Sequence, residues 1–195
     1  MDYRRLNAQT IKDVYPTPRV EDAISDMKGA RYFANMDLRY GFYQIRVAPE
    51  DVHKTAFQTE WSSFQWLVMP FGLINASSTF QRNMDMIFDD MRLFTSVYTD
   101  DIVVYSKRWT DHLENVKAVL QRLRDSKFFV KRSKCEFATE EIDVVGFRVS
   151  ARVVPTQPEN WKPYSNGPST RIWRTFEVSQ ASPISTRSSY QTMRI

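Results

Sequence analysis

Cysteine is almost absent from this sequence, and long apolar runs are absent altogether. The single cysteine, Cys135, excludes an internal disulfide framework and is typical of a reducing compartment. No stretch of 18 apolar residues occurs, which excludes a membrane span. The first five residues lack the apolar region of a signal peptide. The 195 residues are 42% hydrophobic and 14% aromatic, which is enough for one well-packed domain, or one domain plus a fragment.

Net charge gives little guidance to function. The formal net charge is +4, which would suit a protein that binds nucleic acid. The basic excess lies wholly in residues 161–195, which hold five basic residues and one acidic residue. The same segment has eleven Ser or Thr residues, no Leu and no sustained apolar period. We therefore expect an ordered unit over residues 1–158 and a disordered or non-native tail over 159–195.

The most informative stretch is VYTDDIVVY at 97–105. β-Branched and aromatic residues flank Asp100 and Asp101, a pattern that predicts a hairpin with two acids at its turn. Two carboxylates between apolar strands are costly unless a cation meets them, and Mg²⁺ suits such a site because it takes few carboxylates and leaves positions for phosphate oxygens. Asp pairs are also common in ordinary turns, so the pair alone does not distinguish a Mg²⁺ site from a simple turn.

Hydrophobic periodicity predicts an α+β fold. Helices are expected at about 18–28 with Thr17 as N-cap, at 76–92 with Asn75 or Ser77 as N-cap, and at 111–126 with a capping box of Asp111 and Glu114. Strands are expected at 32–36, 42–47, 55–59, 64–69, 128–130 and 142–147, and residues 1–16 read as extended or looped.

This order of elements is that of a ferredoxin-like palm, an antiparallel sheet with helices on one face. In such a sheet the end of the strand that carries Asp37 can lie beside the turn that carries Asp100 and Asp101. We expect the three carboxylates to lie about 4–8 Å apart and to share two Mg²⁺ ions, the arrangement used for in-line phosphoryl transfer.

Motifs along the chain then resemble the reverse transcriptase of gypsy-type long-terminal-repeat retrotransposons. The matching segments, over residues 2 to about 158, are DYRRLN at 2–7, MDLRYGFYQI at 36–45, VMPFGLINA at 68–76, YTDD at 98–101, SKCEF at 133–137 and VGFRVS at 145–150. Each is weak alone, but six in order are specific. The resemblance implies a reverse-transcriptase palm with partial fingers, and it implies that further fingers strands, connection and RNase H regions lie outside this chain.

The resemblance also implies roles for individual residues. Asp37, Asp100 and Asp101 would be catalytic and would bind two Mg²⁺ ions, with Mn²⁺ as a substitute. Nucleotide-binding roles would fall to Phe42, Phe71, Gly72 and Arg4, and primer or template contacts to Val145, Gly146 and Phe147. The bulk of Phe42 would exclude a 2′-hydroxyl by steric clash. The plainer interpretations are a core aromatic at Phe42 and a solvated surface side chain at Arg4.

Partners follow from the same resemblance. They would be an RNA or DNA template with a DNA primer, dNTPs, and the protease, RNase H and integrase parts of a Pol polyprotein, with no membrane. The protein would be intracellular, in a cytoplasmic particle of the element. The sequence departs from the family at Tyr40, Ser77 and Thr99. An inactive remnant that retains the palm fold is the alternative. Another two-acid palm enzyme, such as a nucleotide cyclase, is disfavoured because it would lack both the pocket motif at Met69–Ala76 and the primer hairpin.

The tail carries a second pattern in another reading frame. Codons for Asn160 onward, read from the third base, permit LEAIQQWP, and those from Ile172 permit LEDFRSFSGLANFY, both similar to the family's thumb. This predicts a single-base frame change near residues 158–160 and poorly packed coil from Trp161 to Ile195. A divergent linker is the alternative.

Overall fold

A four-stranded antiparallel sheet forms the centre of the fold. The structure is a computed structural model that describes residues 1–16, 19–144, 146–150, 153–156 and 192–195. The α-helices in these ranges are α1 (Arg4–Gln9), α2 (Val20–Asp26), α3 (Ala76–Ile87) and α4 (Trp109–Asp125). The strands are β1 (Tyr32–Asp37), β2 (Arg46–Val47), β3 (Phe57–Gln58), β4 (Ser63–Phe64), β5 (Thr95–Tyr98), β6 (Asp101–Ser106), β7 (Glu136–Thr139), β8 (Glu141–Val144), β9 (Phe147–Ser150), β10 (Val153–Thr156) and β11 (Thr192–Met193). Short 3-10 helices span Gly41–Gln44, Pro49–Thr55, Asp89–Met91 and Arg132–Lys134.

The central sheet has the strand order β5-β6-β1-β7, and its pairings are antiparallel. Alternate residues of β1 and β6 point to opposite faces, as strand geometry requires. Met36 and Ile102 belong to a core with the apolar faces of α3 and α4, whereas Phe33 and Val103 belong to a second core with Met27 and the β8–β9 hairpin. Because both faces are covered, β6 is buried over Ile102–Ser106 and its register against β1 is strongly specified.

Several sequence predictions are confirmed. The strand that ends at Asp37 and the hairpin at 97–105 form as expected, and helices occupy most of 76–92 and 111–126. The expected strand at 42–47 is wrong over most of its length, because residues 41–44 form a 3-10 helix. The Gln44 side chain donates to the main-chain oxygens of Arg39 and Phe129, and these tertiary contacts override the local alternation.

Helix starts were predicted less well. Residues 4–9 form α1, where extended chain was expected. Thr17 and Pro18 lie outside the described residues, and the N-cap position of α2 is Arg19. The predicted capping box of α4 is wrong, since the helix begins at Trp109 and Asp111 accepts hydrogen bonds from the Arg108 guanidinium instead. Within the described ranges, no helix is long and apolar enough to cross a membrane.

The predicted coil of the tail falls mainly on residues 157–191, which lie outside the described residues. The last four residues differ from the expectation, because Thr192 and Met193 pair in parallel with β2 and Met193 is buried. The sequence could not show this, since the pairing joins residues about 146 positions apart and rests on one apolar side chain and main-chain hydrogen bonds.

Candidate active site

The two predicted acidic segments meet at one end of the sheet. The register of β1 against β6 places Asp37 directly opposite Asp101, and the Leu38 N–H donates to the main-chain oxygen of Asp100 at 3.1 Å. Directly opposed residues in an antiparallel pair point to the same face, so Asp37 and Asp101 share the face that also carries Asn35. The expectation that Asp37 lies beside the hairpin turn is therefore confirmed.

The hairpin turn holds the third acid. Tyr98 pairs with Asp101, which leaves Thr99 and Asp100 as a two-residue connection. Thr99 has φ +50°, in the left-handed region that β-branched residues rarely adopt. Two-residue hairpin loops require a positive φ at the first central position because this matches the twist of the strands. The turn thus imposes backbone strain on Thr99 next to the acids, as is common at functional sites.

The negative charges of Asp37, Asp100 and Asp101 repel one another. Burial raises the pKa of Asp100, and the nearby charges of Asp37 and Asp101 raise it further, while Lys134 opposes this. Burial also raises the pKa of Asp101, with a further increase from Asp37, although a hydrogen bond from Asn35 favours its charged form. Perturbed carboxylates that cluster in a half-buried site are typical of catalytic or metal sites.

Lys134 supplies the positive charge at this site. Its ammonium lies 2.8 Å from Asp37 Oδ2, and the three acids raise its pKa, Asp37 most of all. The main chain just before Lys134 is bonded to β1, because the Lys131 N–H donates to the main-chain oxygen of Asp37 at 2.8 Å. In the sequence Lys134 stands out only as part of the SKCEF motif, and its contact with Asp37 could not be predicted because it joins residues 97 apart.

Gly41 fits closely against the acidic turn and was also missed. A Cβ at this position would lie 2.6 Å from Asp100 Oδ1 and 3.0 Å from the buried ring of Phe80. Asp100 Oδ1 is itself buried and has no hydrogen-bond partner in the described part of the chain. A buried acceptor without a donor is costly, which suggests a cationic ligand at this oxygen.

The donor types suit a hard divalent cation, because Mg²⁺ prefers carboxylate oxygens. Among the described residues, however, no three His, Cys, Asp or Glu side chains are arranged as a ready metal cluster. One oxygen of Asp37 is engaged by Lys134, while Asp100 has an unpartnered one. The residues thus fit a cation by chemistry and electrostatics, and the two-metal arrangement stays a prediction.

The aromatic residues expected at the nucleotide site are brought together. The Phe42 ring packs edge-on against Phe71 and beside Phe80, with ring centroids 5.1 and 5.2 Å apart. Phe71 is 57% exposed, so this cluster is open to solvent on one side. Gly72 has φ +94°, and its main-chain oxygen accepts a hydrogen bond from Asn7 Nδ2 at 2.8 Å. A left-handed φ explains the glycine at this turn.

The remaining predicted site residues are less informative. Arg4 is 89% exposed and pairs with Asp2 at 2.6 Å, so the structure gives it no contact with the acids or the aromatic cluster. Gly146 has φ +82° in the turn between β8 and β9, next to the half-buried Phe147. Val145 lies outside the described residues. The roles of these residues toward nucleotide and primer stay predictions.

A cavity of about 500 Å³ that sequence reasoning did not find adjoins the acidic end of β1. It is lined by Arg39, Tyr40, Tyr43, Gln44, Phe129 and Val130. Leu38, next to Asp37, forms an isolated antiparallel bridge with the cavity residue Val130. Tyr40, one of the departures from the family pattern, has a left-handed φ of +54° and is 66% exposed at the rim.

Comparisons with known proteins agree with this geometry. Residues 1–149 match the family described as reverse transcriptase (RNA-dependent DNA polymerase). The chain is 37% identical over 159 residues to the retrovirus-related Pol polyprotein from transposon 297 of Drosophila melanogaster, covering 81% of this chain and 15% of that protein. It is 34% identical over 163 residues to the Pol polyprotein from transposon gypsy of the same fly, covering 83% and 16%. The chain thus spans about one-sixth of these relatives.

Solved structures show the same fold. The foamy viral protease-reverse transcriptase in complex with an RNA/DNA hybrid has a TM-score of 0.72 at 22% identity, over 77% of this chain and 20% of that one. A second foamy viral protease-reverse transcriptase structure, in complex with double-stranded DNA, has a TM-score of 0.75 at 21% identity, over 81% and 28%. The sequence match, the relatives and the shared fold give one answer: this chain belongs to the reverse transcriptase family.

Proposed function

We propose that this chain forms the catalytic palm and part of the fingers of an RNA-directed DNA polymerase within a retrotransposon Pol polyprotein. The reaction is transfer of a nucleotide from a dNTP to the 3′-hydroxyl of a primer. The observation that carries the proposal is the meeting of Asp37, Asp100 and Asp101 at one end of the sheet, where the pKa values of Asp100 and Asp101 are raised.

These three acids are the residues that would hold two Mg²⁺ ions, with Mn²⁺ as a substitute. When bound, such ions would supply activation of the attacking oxygen and stabilisation of the charge on the leaving phosphates. The protein's own contribution is to place the donors. Asn35 orients Asp101, and the missing Cβ of Gly41 leaves space for the Asp100 carboxylate. The Lys134 ammonium partly neutralises the acids, which lowers their mutual repulsion.

The nucleotide and the primer would contact neighbouring elements. Phe42, fixed between Phe71 and Phe80, would pack under the incoming sugar and exclude a 2′-hydroxyl by its bulk. Gly72 would allow close backbone approach, and Arg4 would contact template or nucleotide. The β8–β9 turn, with Val145, Gly146 and Phe147, would hold the primer end. Its exposed glycine turn supports this assignment, since it leaves the backbone accessible to a strand.

The partners and the location are proposed by analogy with the Pol polyproteins that the chain resembles. We propose an RNA or DNA template with a DNA primer, dNTPs, and the other parts of a Pol polyprotein as partners, within an intracellular particle of the element. The ordered unit would be residues 1–158. By itself the chain is expected to be weakly active or inactive as a polymerase, because the family's further fingers contacts to the triphosphate are not among its residues, and losing such contacts costs several kcal/mol.

The test is primer extension on an RNA template by a Pol chain that contains this sequence. Asp100→Asn and Asp101→Asn should each reduce Mg²⁺-dependent extension by at least about 10³-fold, because each removes charge at the position where it is needed. The matched control is Asp89→Asn, which changes an exposed acid paired with Arg92 and should leave extension unchanged. Extension that survives Asp100→Asn, or that is absent from the unmodified chain, would contradict the proposal.

A further inference from the structure

The outer edge of β2 is occupied by residues that are distant in sequence. Thr192 and Met193 pair in parallel with Arg46 and Val47, and the Ala48 N–H donates to the Met193 oxygen at 2.7 Å. Met193 is 1% exposed and belongs to the core formed with α3 and α4. Residues 157–191 separate this strand from the end of β10. A short extended segment therefore returns over a long connection to cover one edge.

Polar groups hold the end of this segment. The Ile195 N–H donates to Asp51 Oδ2 at 2.8 Å, and the Lys54 ammonium donates to the Ile195 main-chain oxygen at 2.9 Å. Lys54 and Asp51 are also paired with each other at 2.6 Å. Asp51 is only 6% exposed, and although burial opposes its charge, the hydrogen bonds from Lys54 and Ile195 keep its pKa below the usual value. The carboxylate thus needs partners, and the segment supplies one of them.

The opposite edge of β2 is already paired. Arg46 bridges to Val68, the Val47 N–H donates to the Leu67 oxygen, and the Met69 N–H donates to the Ile45 oxygen. Without residues 192–195, the outer main-chain groups of β2, the buried Val47 and Ala48, and the Asp51 carboxylate would all lose a partner. Unpaired buried main-chain groups and strand edges are costly, so this edge requires a strand.

We propose that the outer edge of β2, together with Asp51 and Lys54, is a strand-acceptor groove that reversibly binds one extended segment, residues 192–195 of this chain. Recognition rests on main-chain pairing, one buried aliphatic side chain at the Met193 position, and the Asp51–Lys54 pair that holds the following main chain, the known pattern of binding by strand addition. The side chain of Arg194 is 85% exposed and reaches exposed Glu50 only at 3.9 Å, and Thr192 is exposed, so neither side chain contributes much to recognition.

Occupancy in cis is favoured by the covalent connection. Because the segment belongs to the same chain, its pairing is intramolecular and takes place at a raised effective concentration, so weak pairing suffices to hold it. β2 directly follows the 3-10 helix that carries Phe42, and filling the groove therefore stabilises the chain beside the aromatic cluster. None of the groove residues is one of the three acids, so the groove can be tested by strand pairing, without a polymerase assay.

The first measurement is amide hydrogen exchange of the whole chain by NMR. The amides of Ala48 and Ile195, which donate into the groove contacts, should be protected. Met193→Asp should lower protection of both by at least 10-fold, because a charge cannot enter the buried slot. Met193→Leu and the surface control Arg194→Ala should preserve it. Unprotected amides in the unmodified chain, or unchanged protection in Met193→Asp, would overturn the proposal.

The second measurement is rescue in trans. A free peptide with the sequence YQTMRI, added to the Met193→Asp chain, should restore protection of Ala48, whereas YQTDRI should not. Failure of YQTMRI to restore protection would overturn an acceptor groove. If Met193→Asp unfolds the whole chain, shown by loss of protection at Met36 in the core, Asp51→Asn replaces it. That variant should lower protection at Ile195 alone, and unchanged exchange there would overturn the proposal.

Discussion

Replacing Asp100 by Asn should make the protein more stable while it removes a proposed catalytic group. The side chain keeps its shape, but one of three clustered negative charges is lost. At effective dielectric constants between 20 and 80, two like charges about 6 Å apart repel by roughly 0.7–2.8 kcal/mol. Asp100 experiences this from Asp37 and Asp101, and the nearby Lys134 cancels part of it. We therefore expect Asp100→Asn to raise the free energy of unfolding by about 1 kcal/mol at pH 7.

The pH dependence has a definite sign. The pKa of Asp100 is raised in the folded state above its ordinary value of 3.8, so the folded protein binds the proton more tightly than the unfolded chain does. The Asp100 charge therefore destabilises the fold above the raised pKa, and this destabilisation vanishes as pH falls through that pKa toward 3.8. The advantage of Asp100→Asn should be full at pH 7 and should shrink progressively as the pH is lowered toward 4.

The assay is urea unfolding followed by circular dichroism at several pH values between 7 and 4.5. Asp89→Asn is the control, since an exposed acid paired with Arg92 should change stability by less than about 0.5 kcal/mol. A destabilised Asp100→Asn protein would refute the reasoning. So would a gain that stays constant with pH, because the effect would then not come from charge.

Three further substitutions test other parts of the site and fold. Gly41→Ala should cost about 1–3 kcal/mol in thermal unfolding, because its Cβ would lie 2.6 Å from Asp100 Oδ1, and an unchanged Tm would contradict that contact. His112→Phe should flatten the pH dependence of stability. Burial lowers the pKa of His112 to about 4, so the unmodified protein should lose about 1–3 kcal/mol of unfolding free energy as the pH falls from 6.5 to 4. The variant, which has no imidazole to protonate, should not show this loss. In NMR titrations Lys134→Gln should raise the carboxyl pKa of Asp100, because the Lys134 ammonium lowers that pKa in the unmodified protein. Lys134→Arg should leave the pKa unchanged. If the unmodified protein and both variants titrate alike, Lys134 does not stabilise the Asp100 charge.

Much of the central site could be predicted from the sequence because its signals are local. Apolar β-branched runs on either side of Asp100 and Asp101 specify a hairpin, and the strand before Asp37 ends where its pattern ends. Motif order then indicated the family, and the register that opposes Asp37 to Asp101 agrees with the expected palm. Strand pairing in a sheet buried on both faces allows few alternatives, so a correct pattern leads to a correct register.

The tertiary structure alone decided which groups complete the site. Lys134 meets Asp37 across 97 residues, Gly41 makes space for Asp100, and the Gln44 side chain, in the 3-10 helix that replaces a predicted strand, bonds to the main chain of Phe129. The end of the tail was likewise placed by an open strand edge rather than by its own periodicity. Sequence determined the elements whose energetics are local, namely periodicity and turn chemistry. Contacts between distant segments depend on which surfaces the packed core leaves facing each other, and only the folded chain fixes those surfaces.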